Sequence, residues 1–300
     1  MEDCRLEDLY DGNFYHVCTE GMERDVLFRG DEDFLVARNY LALSAWKNKV
    51  FVLVFSLMSN HVHVLVASHD RRRTQIFIRY FKQLYSTYMH NKYGRKEALR
   101  GQADSIALIS DMKYFRNCVA YILRNAICAR ICRKVEEYPW SSYETYFRDD
   151  SESSGVCISS LSERHKRKVL KTRMNLDGCP YRIDEDGNIE VASFVRSDLV
   201  QLAFNRSGKF FLYHLGYCND TQMEYEFVSR PQFHANDQDL FLAAEKLAAE
   251  RFSEKSLSQL TVSQKCAMLK NLFFNNRSTI PQLARVMGIP RELVRKVLST

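Results

Sequence analysis

No run of 18 or more apolar residues occurs in this 300-residue sequence, which leaves no candidate for a membrane-spanning helix. The N-terminus, Met1-Glu2-Asp3-Cys4-Arg5, is acidic where a secretory signal would be basic and then apolar. Nine cysteines make an odd count, and none forms a CxxC pair. Cys128 and Cys132 stand four apart but lack a second ligand pair at zinc-site spacing. No internal repeat and no low-complexity tract is present. These absences point away from secreted, disulfide-stapled and zinc-ribbon proteins. The expectation is reduced cysteines in a cytoplasmic protein without a membrane partner.

What is there is a 46% hydrophobic fraction, enough for a sizeable core in one large or two ordinary domains. The net charge of +6 is modest, but it is unevenly spread. Between Arg71 and Arg100, nine bases stand against one acid, Glu97. A second basic cluster runs from Arg164 to Arg173, and a third occupies the last forty residues. Clustered positive charge suits a polyanion, because neutralising phosphates releases counterions. Candidate DNA contacts are therefore Arg71, Arg72, Arg73, Arg79, Lys82, Lys92 and Arg95, with Arg285, Arg291 and Arg295 near the end. Tyr80, Tyr85, Tyr88 and Tyr93 lie among the first group and can stack unpaired bases, unless they belong to the buried stripe of Phe77, Phe81, Leu84 and Tyr88.

Period and composition predict strands at 13–19, 49–57, 61–67 and 105–109, and helices at 31–47, 72–92 and about 111–133. Asp31 or Asp33 is the expected N-cap of the first helix, and Ser110 or Asp111 that of the third. The order β-α-β-β-α-β, followed by a further helix, is the split βαβ, ferredoxin-like arrangement with an antiparallel sheet. Its first two helices cover one face of the sheet and leave the other for the third. The fold class is thus α+β, with domains expected at 1–148, 149–236 (a linker and a small region) and 237–300. The last of these is helical, and residues 278–299 read as a helix-turn-helix around Gly288.

His61 and His63 lie two apart on a strand, so both face the same side of the sheet. Two imidazoles at that spacing can hold a divalent metal with an open side for substrate. Alone, the pair reads equally well as two surface histidines. Tyr121 and Asn125 stand four apart, stacked on one face of the third helix. If that helix crosses the open face, tyrosine and asparagine meet the histidines. Tyr121 by itself reads as readily as a packed core residue.

Three segments in this order carry a resemblance: Met58-Ser59-Asn60-His61-Val62-His63-Val64-Leu65-Val66, Tyr121-Ile122-Leu123-Arg124-Asn125 and Tyr138-Pro139-Trp140-Ser141-Ser142-Tyr143. They resemble the REP-associated tyrosine transposases, a group of HUH single-tyrosine transposases. The resemblance implies that Tyr121 is a nucleophile, and that His61, His63 and Asn125 hold Mg²⁺ or Mn²⁺. It implies single-stranded, hairpin-bearing DNA as substrate, a 5′-phosphotyrosine intermediate, and either a monomer or a homodimer. Duplex DNA is a further candidate partner for the C-terminal helix-turn-helix. The sequence departs from the family pattern at Ala126, where a proline is usual. It departs again at Leu99-Arg100-Gly101-Gln102, where an aromatic usually precedes the glutamine. A non-catalytic, sequence-specific DNA-binding regulator derived from a transposase is the alternative in a different class.

Overall fold

A computed structural model describes residues 5–19, 26–94, 104–147, 155–216, 237–252, 256–275, 278 and 280–298. The chain forms two units, residues 1–218 and 219–300. Arg95 and the Leu99–Gln102 stretch lie outside the described residues.

The first unit is built on a four-stranded antiparallel sheet in the order β2-β3-β1-β4, with β1 at Asn13–Thr19, β2 at Phe51–Met58, β3 at His61–Ser68 and β4 at Asp104–Leu108. The α+β class and the antiparallel sheet are as expected. Strand β1 has partners on both sides, and its residues 14–19 are buried. Strands β2 and β3 form a hairpin across Ser59-Asn60, with a register shift between Val52 and Val54.

Three helices flank the sheet: α1 at Asp31–Asn48, α2 at Arg71–Tyr93 and α3 at Met112–Cys128. Asp70 caps α2 by accepting the Arg73 N–H at 2.7 Å, and Gly94 ends it at φ +67°, a conformation that glycine adopts without strain. Its buried stripe is Phe77, Ile78, Phe81, Tyr85, Tyr88 and Met89.

The start of α1 corrects the capping expectation. Gly30 holds the N-cap position, and Asp33 acts from inside the first turn, accepting the Arg29 N–H at 2.9 Å. Asp33 is needed elsewhere at the same time. Its fully buried carboxylate receives the Lys92 ammonium at 2.6 Å and the hydroxyls of Tyr88 and Tyr93 at 2.8 and 2.9 Å. Burial alone would raise its pKa. The bonds from Lys92, Arg29, Tyr88 and Tyr93 outweigh that and hold it below its ordinary 3.8. Asp33→Ala should therefore destabilise the protein by about 3 kcal/mol in denaturant titration. That is the low end for breaking a buried ion pair, since Lys92 keeps some contact with water. The folded-state pKa is depressed, so this contribution is complete above pH 3.8 and is lost as pH falls below that through the folded value. The gap between wild type and variant should accordingly be constant near neutrality and close in acid.

Helix α3 is capped by Asp111, which accepts the Tyr114 N–H at 2.8 Å. It ends at Cys128, earlier than the expected 133, because Arg130 turns left-handed at φ +58°. The turn sends the chain back to the open edge of β2. There the Leu57 N–H donates to the Trp140 carbonyl at 2.9 Å, the Ser142 N–H to Phe55 at 3.1 Å, and the Tyr138 hydroxyl to Leu57 at 2.6 Å. The Tyr-Pro-Trp-Ser-Ser segment thus satisfies an edge strand that would otherwise expose unpaired backbone groups. Ala126, Met58 and Tyr138 pack together beneath this turn.

The expected boundary at 148 falls inside the first unit, which takes in the described residues up to Gly216. Two short helices, α4 at Ser197–Ala203 and α5 at Gly208–Gly216, are tied to α3. The Arg116 side chain donates to the Ala203 carbonyl at 2.7 Å, and that of Arg124 to Leu215 at 2.8 Å.

In the second unit, helices α6 (Asp237–Arg251), α7 (Val262–Asn275), α8 (Ile280–Met287) and α9 (Arg291–Leu298) share an apolar core that includes Leu240, Leu269, Leu283, Met287 and Val294. Gly288 makes the turn between the last two at φ +63°. Arg291 and Arg295 are exposed on α9, whereas Arg285 forms a two-pronged pair with Asp237 at 2.9 and 3.0 Å. Among the described residues, no helix is long and apolar enough to cross a membrane.

Candidate active site

Strand alternation decides what the sheet presents. Val62, Val64 and Val66 are buried on one face, and His61 and His63 emerge on the other. Antiparallel pairing with β1 sets Cys18 opposite His63 and His16 opposite Leu65, so His16 and Cys18 share the histidine face. His16 Nε2 lies 3.1 Å from His63 Nδ1, with the two rings stacked at 5.3 Å and 10°. Cys18 Sγ lies 3.9 Å from His63 Nε2. His61, half-exposed at the strand start, has its ring perpendicular to His63 at 4.8 Å.

Neighbours fix the tautomers. The Asn60 carbonyl oxygen only accepts, so His61 Nδ1 donates to it at 2.8 Å, which leaves the Nε2 lone pair of the neutral ring. His63 Nδ1 is likewise engaged, with His16. Burial pushes the His16 pKa down to about 3. His63 falls well below its ordinary value, first through burial and then through repulsion from His61 and His16. Both rings are therefore neutral at pH 7, the state a metal ligand requires.

Helix α3 lies over this face. The Phe115 ring stands edge-on to Phe14 at 5.1 Å, and one and a half turns later Tyr121 meets the histidines. Its ring stands edge-on to His63 at 5.3 Å and to His16 at 5.9 Å. Tyr121 is buried, while Asn125, one turn further along, is half-exposed. The structure thus brings together the two predicted histidines and the predicted tyrosine, with Asn125 on the next turn of the same helix. Among the described residues, no three His, Cys, Asp or Glu side chains gather as a metal cluster. The donor set that fits a cation here is two imidazoles and an amide oxygen, neutral ligands that leave the charge of a dication to attract phosphate.

His16 is the residue that sequence reasoning missed. The signal was available: His16 and Cys18 are two apart in the predicted first strand, and the split βαβ topology pairs that strand with the His61–His63 strand.

The candidate DNA contacts divide. Arg71, Arg72 and Arg79 are exposed, and Arg73 is half-exposed. Lys82 is buried and donates to Asp104 at 2.9 Å, and Lys92 serves Glu32 and Asp33, so these charges are neutralised internally. Tyr85 is fully buried with its hydroxyl on the Leu27 carbonyl. Tyr88 and Tyr93 are held by Asp33, which leaves Tyr80 as the half-exposed ring of the four.

Sheet, histidine pair and helix-borne tyrosine define a ferredoxin-like domain with a metal-and-tyrosine type of site. The family comparison is specific: residues 11–103 match the family described as "Transposase IS200 like". This stretch, which contains His16, His61 and His63, belongs to the IS200-like transposases, and the role that goes with it is transposase-like DNA processing. Tyr121 and Asn125 lie beyond the matched stretch. No curated protein matches. A solved structure described as "Structure of the REP associates tyrosine transposase bound to a REP hairpin" is similar at 15% identity and a TM-score of 0.35, over 50% of this chain and 93% of that one.

Proposed function

We propose that this chain cleaves and rejoins single-stranded DNA through Tyr121, with a divalent cation, Mg²⁺ or Mn²⁺, bound by His61, His63 and Asn125. The observation that carries the proposal is the Tyr121 ring standing edge-on to His63 and His16, two neutral, buried imidazoles on the same sheet face. A neutral phenol with an ordinary pKa near 10 is a weak nucleophile, so it needs an activated phosphate. The bound cation supplies that activation by drawing charge from the non-bridging oxygens.

The chain's own groups do the rest. Asn60 and His16 orient the two ligand rings through their Nδ1 atoms, and His63 donates its Nδ1 proton to His16 Nε2. Tyr121 Oη bonds to phosphorus as the bond to the 3′ oxygen breaks. The phenol proton is lost to solvent, and the departing 3′ oxygen takes one up. The products are a 5′-phosphotyrosine and a 3′-hydroxyl, and attack by a 3′-hydroxyl reverses the step. One phosphodiester replaces another, so rejoining requires no ATP. The resemblance of the three motif segments favours a hairpin-bearing strand as substrate. Exposed Arg71, Arg72 and Arg79 on α2 are suited to its backbone. In the second unit, Arg291 and Arg295 on α9 support an accessory contact with duplex DNA.

The test uses a panel of 3′-labelled hairpin-bearing strands with Mn²⁺. An SDS-resistant labelled protein band, together with a released fragment that a polymerase can extend, is expected. Release of the fragment without the band would mean that water is the nucleophile. No cleavage across the panel would leave the non-catalytic DNA-binding reading in its place.

A further inference from the structure

At the other end of the sheet lies a cleft of about 920 Å³, lined in part by Tyr10, Trp46, Phe51, Lys49, Arg73 and Arg196. His61 and His69 are eight residues apart along β3 and just beyond it, roughly 26 Å at the rise of a strand, so the cleft is well away from the histidine site.

Its walls combine two features. One is aromatic. Phe51, at the start of edge strand β2, is 38% exposed, unlike the rest of that strand. Tyr10 stands edge-on to it at 5.8 Å and leans on His69 at 5.9 Å. Tyr10 is held there by Gly12, where an added Cβ would come within 2.5 Å of the tyrosine ring. Trp46 is half-exposed on the same lining.

The other feature is cationic. Lys47, Lys49, Arg73 and Arg196 line the cleft against one acid, Asp198, which Arg196 occupies with two bonds at 2.8 and 2.7 Å. Lys47, Lys49 and Arg73 form no ion pair among the described residues. The Arg196 guanidinium stands over the Phe51 ring at 5.3 Å. Arg73 and Arg196 both oppose the burial that raises the Tyr10 phenol's pKa, so both guanidiniums bear on that ring.

We propose that this cleft is a second binding site for single-stranded DNA, with an unpaired base against Phe51 and Trp46 and the flanking phosphates on Lys47, Lys49 and Arg73. Exposed rings beside uncompensated cations are what an unpaired strand requires, since each base offers a stacking face and each linkage a charge. A duplex keeps its base faces stacked inside and has nothing to place on Phe51. The site gives a strand engaged at the histidine face a second anchor, which raises its local concentration there. The proposal draws on the DNA-processing role of the family but not on Tyr121 chemistry.

The chain has two tryptophans, so full-length Trp140→Phe protein reports on Trp46 alone. With Tyr121→Phe added to remove cleavage, titration with a twelve-residue oligodeoxythymidylate should quench Trp46 saturably. In the otherwise unaltered chain, Lys47→Glu with Lys49→Glu should weaken oligonucleotide binding about tenfold by anisotropy. It should also flatten the log–log salt dependence by about two, one for each lost phosphate contact. Trp46 emission that stays constant at saturating DNA, or affinity and salt slope unchanged by the double reversal, would overturn the site. Equal quenching by thymidine monophosphate would also overturn it, by making the cleft a free-nucleotide pocket. Each result stands whether or not wild type forms an adduct, so it is separable from the fate of the cleavage proposal.

Discussion

Tyr121→Phe should abolish the covalent protein–DNA adduct and slow strand cleavage by about 10⁴-fold or more, the scale of removing an enzyme's nucleophile. DNA affinity should stay within about twofold. The asymmetry follows from the packing. A phenylalanine ring fills the same buried space and keeps the edge-on contacts at 5.3 and 5.9 Å, so only the hydroxyl is lost. Denaturing gels measure the adduct, and anisotropy on the same hairpin strand measures binding. A variant that still cleaved at the wild-type rate would assign the attack to water and reduce Tyr121 to a packing residue.

Local period and long-range pairing differ in how legible they are. The strand at His61–Ser68 shows itself through alternation, and the helix at Met112–Cys128 through its 3.6-residue repeat and Asp111 cap, because both signals lie within a dozen residues. The meeting of Tyr121 with the histidines follows from those two elements plus one topological rule. Charge is different. Lys82 and Lys92 look like members of a phosphate-binding row, yet their partners Asp104 and Asp33 stand 22 and 59 residues away. Nothing in the row itself shows that folding brings a carboxylate to each. The same is true of Tyr88 and Tyr93, whose period allows exposure but whose hydroxyls serve the buried Asp33. The end of α3 was obscured for a related reason. Its stop at Cys128 is set by the need of the β2 edge for the 138–142 backbone, a tertiary demand with no local mark.

His63→Ala should lower Mn²⁺ affinity more than a hundredfold, and His16→Leu by roughly 10–100-fold, the scale for losing a group that orients a ligand. The ordering follows from their places in the site. His63 would contribute a lone pair directly, while His16 touches it only at Nδ1, at 3.1 Å, and sets which nitrogen keeps its proton. His16 is 1% exposed, and burying an imidazole that serves only as packing costs free energy an apolar side chain would not. His16→Gln separates the two explanations. Glutamine offers an amide oxygen that can accept the His63 Nδ1 proton, so it should recover most of the affinity that leucine loses. Titration of free Mn²⁺ by electron paramagnetic resonance reads this without DNA or turnover, and thermal melts confirm that each variant is folded. Equal affinity in the leucine and wild-type proteins would make His16 a filler of the sheet face. Loss in leucine with recovery in glutamine would establish that the β1 strand, through one hydrogen bond, orients the ligand on β3.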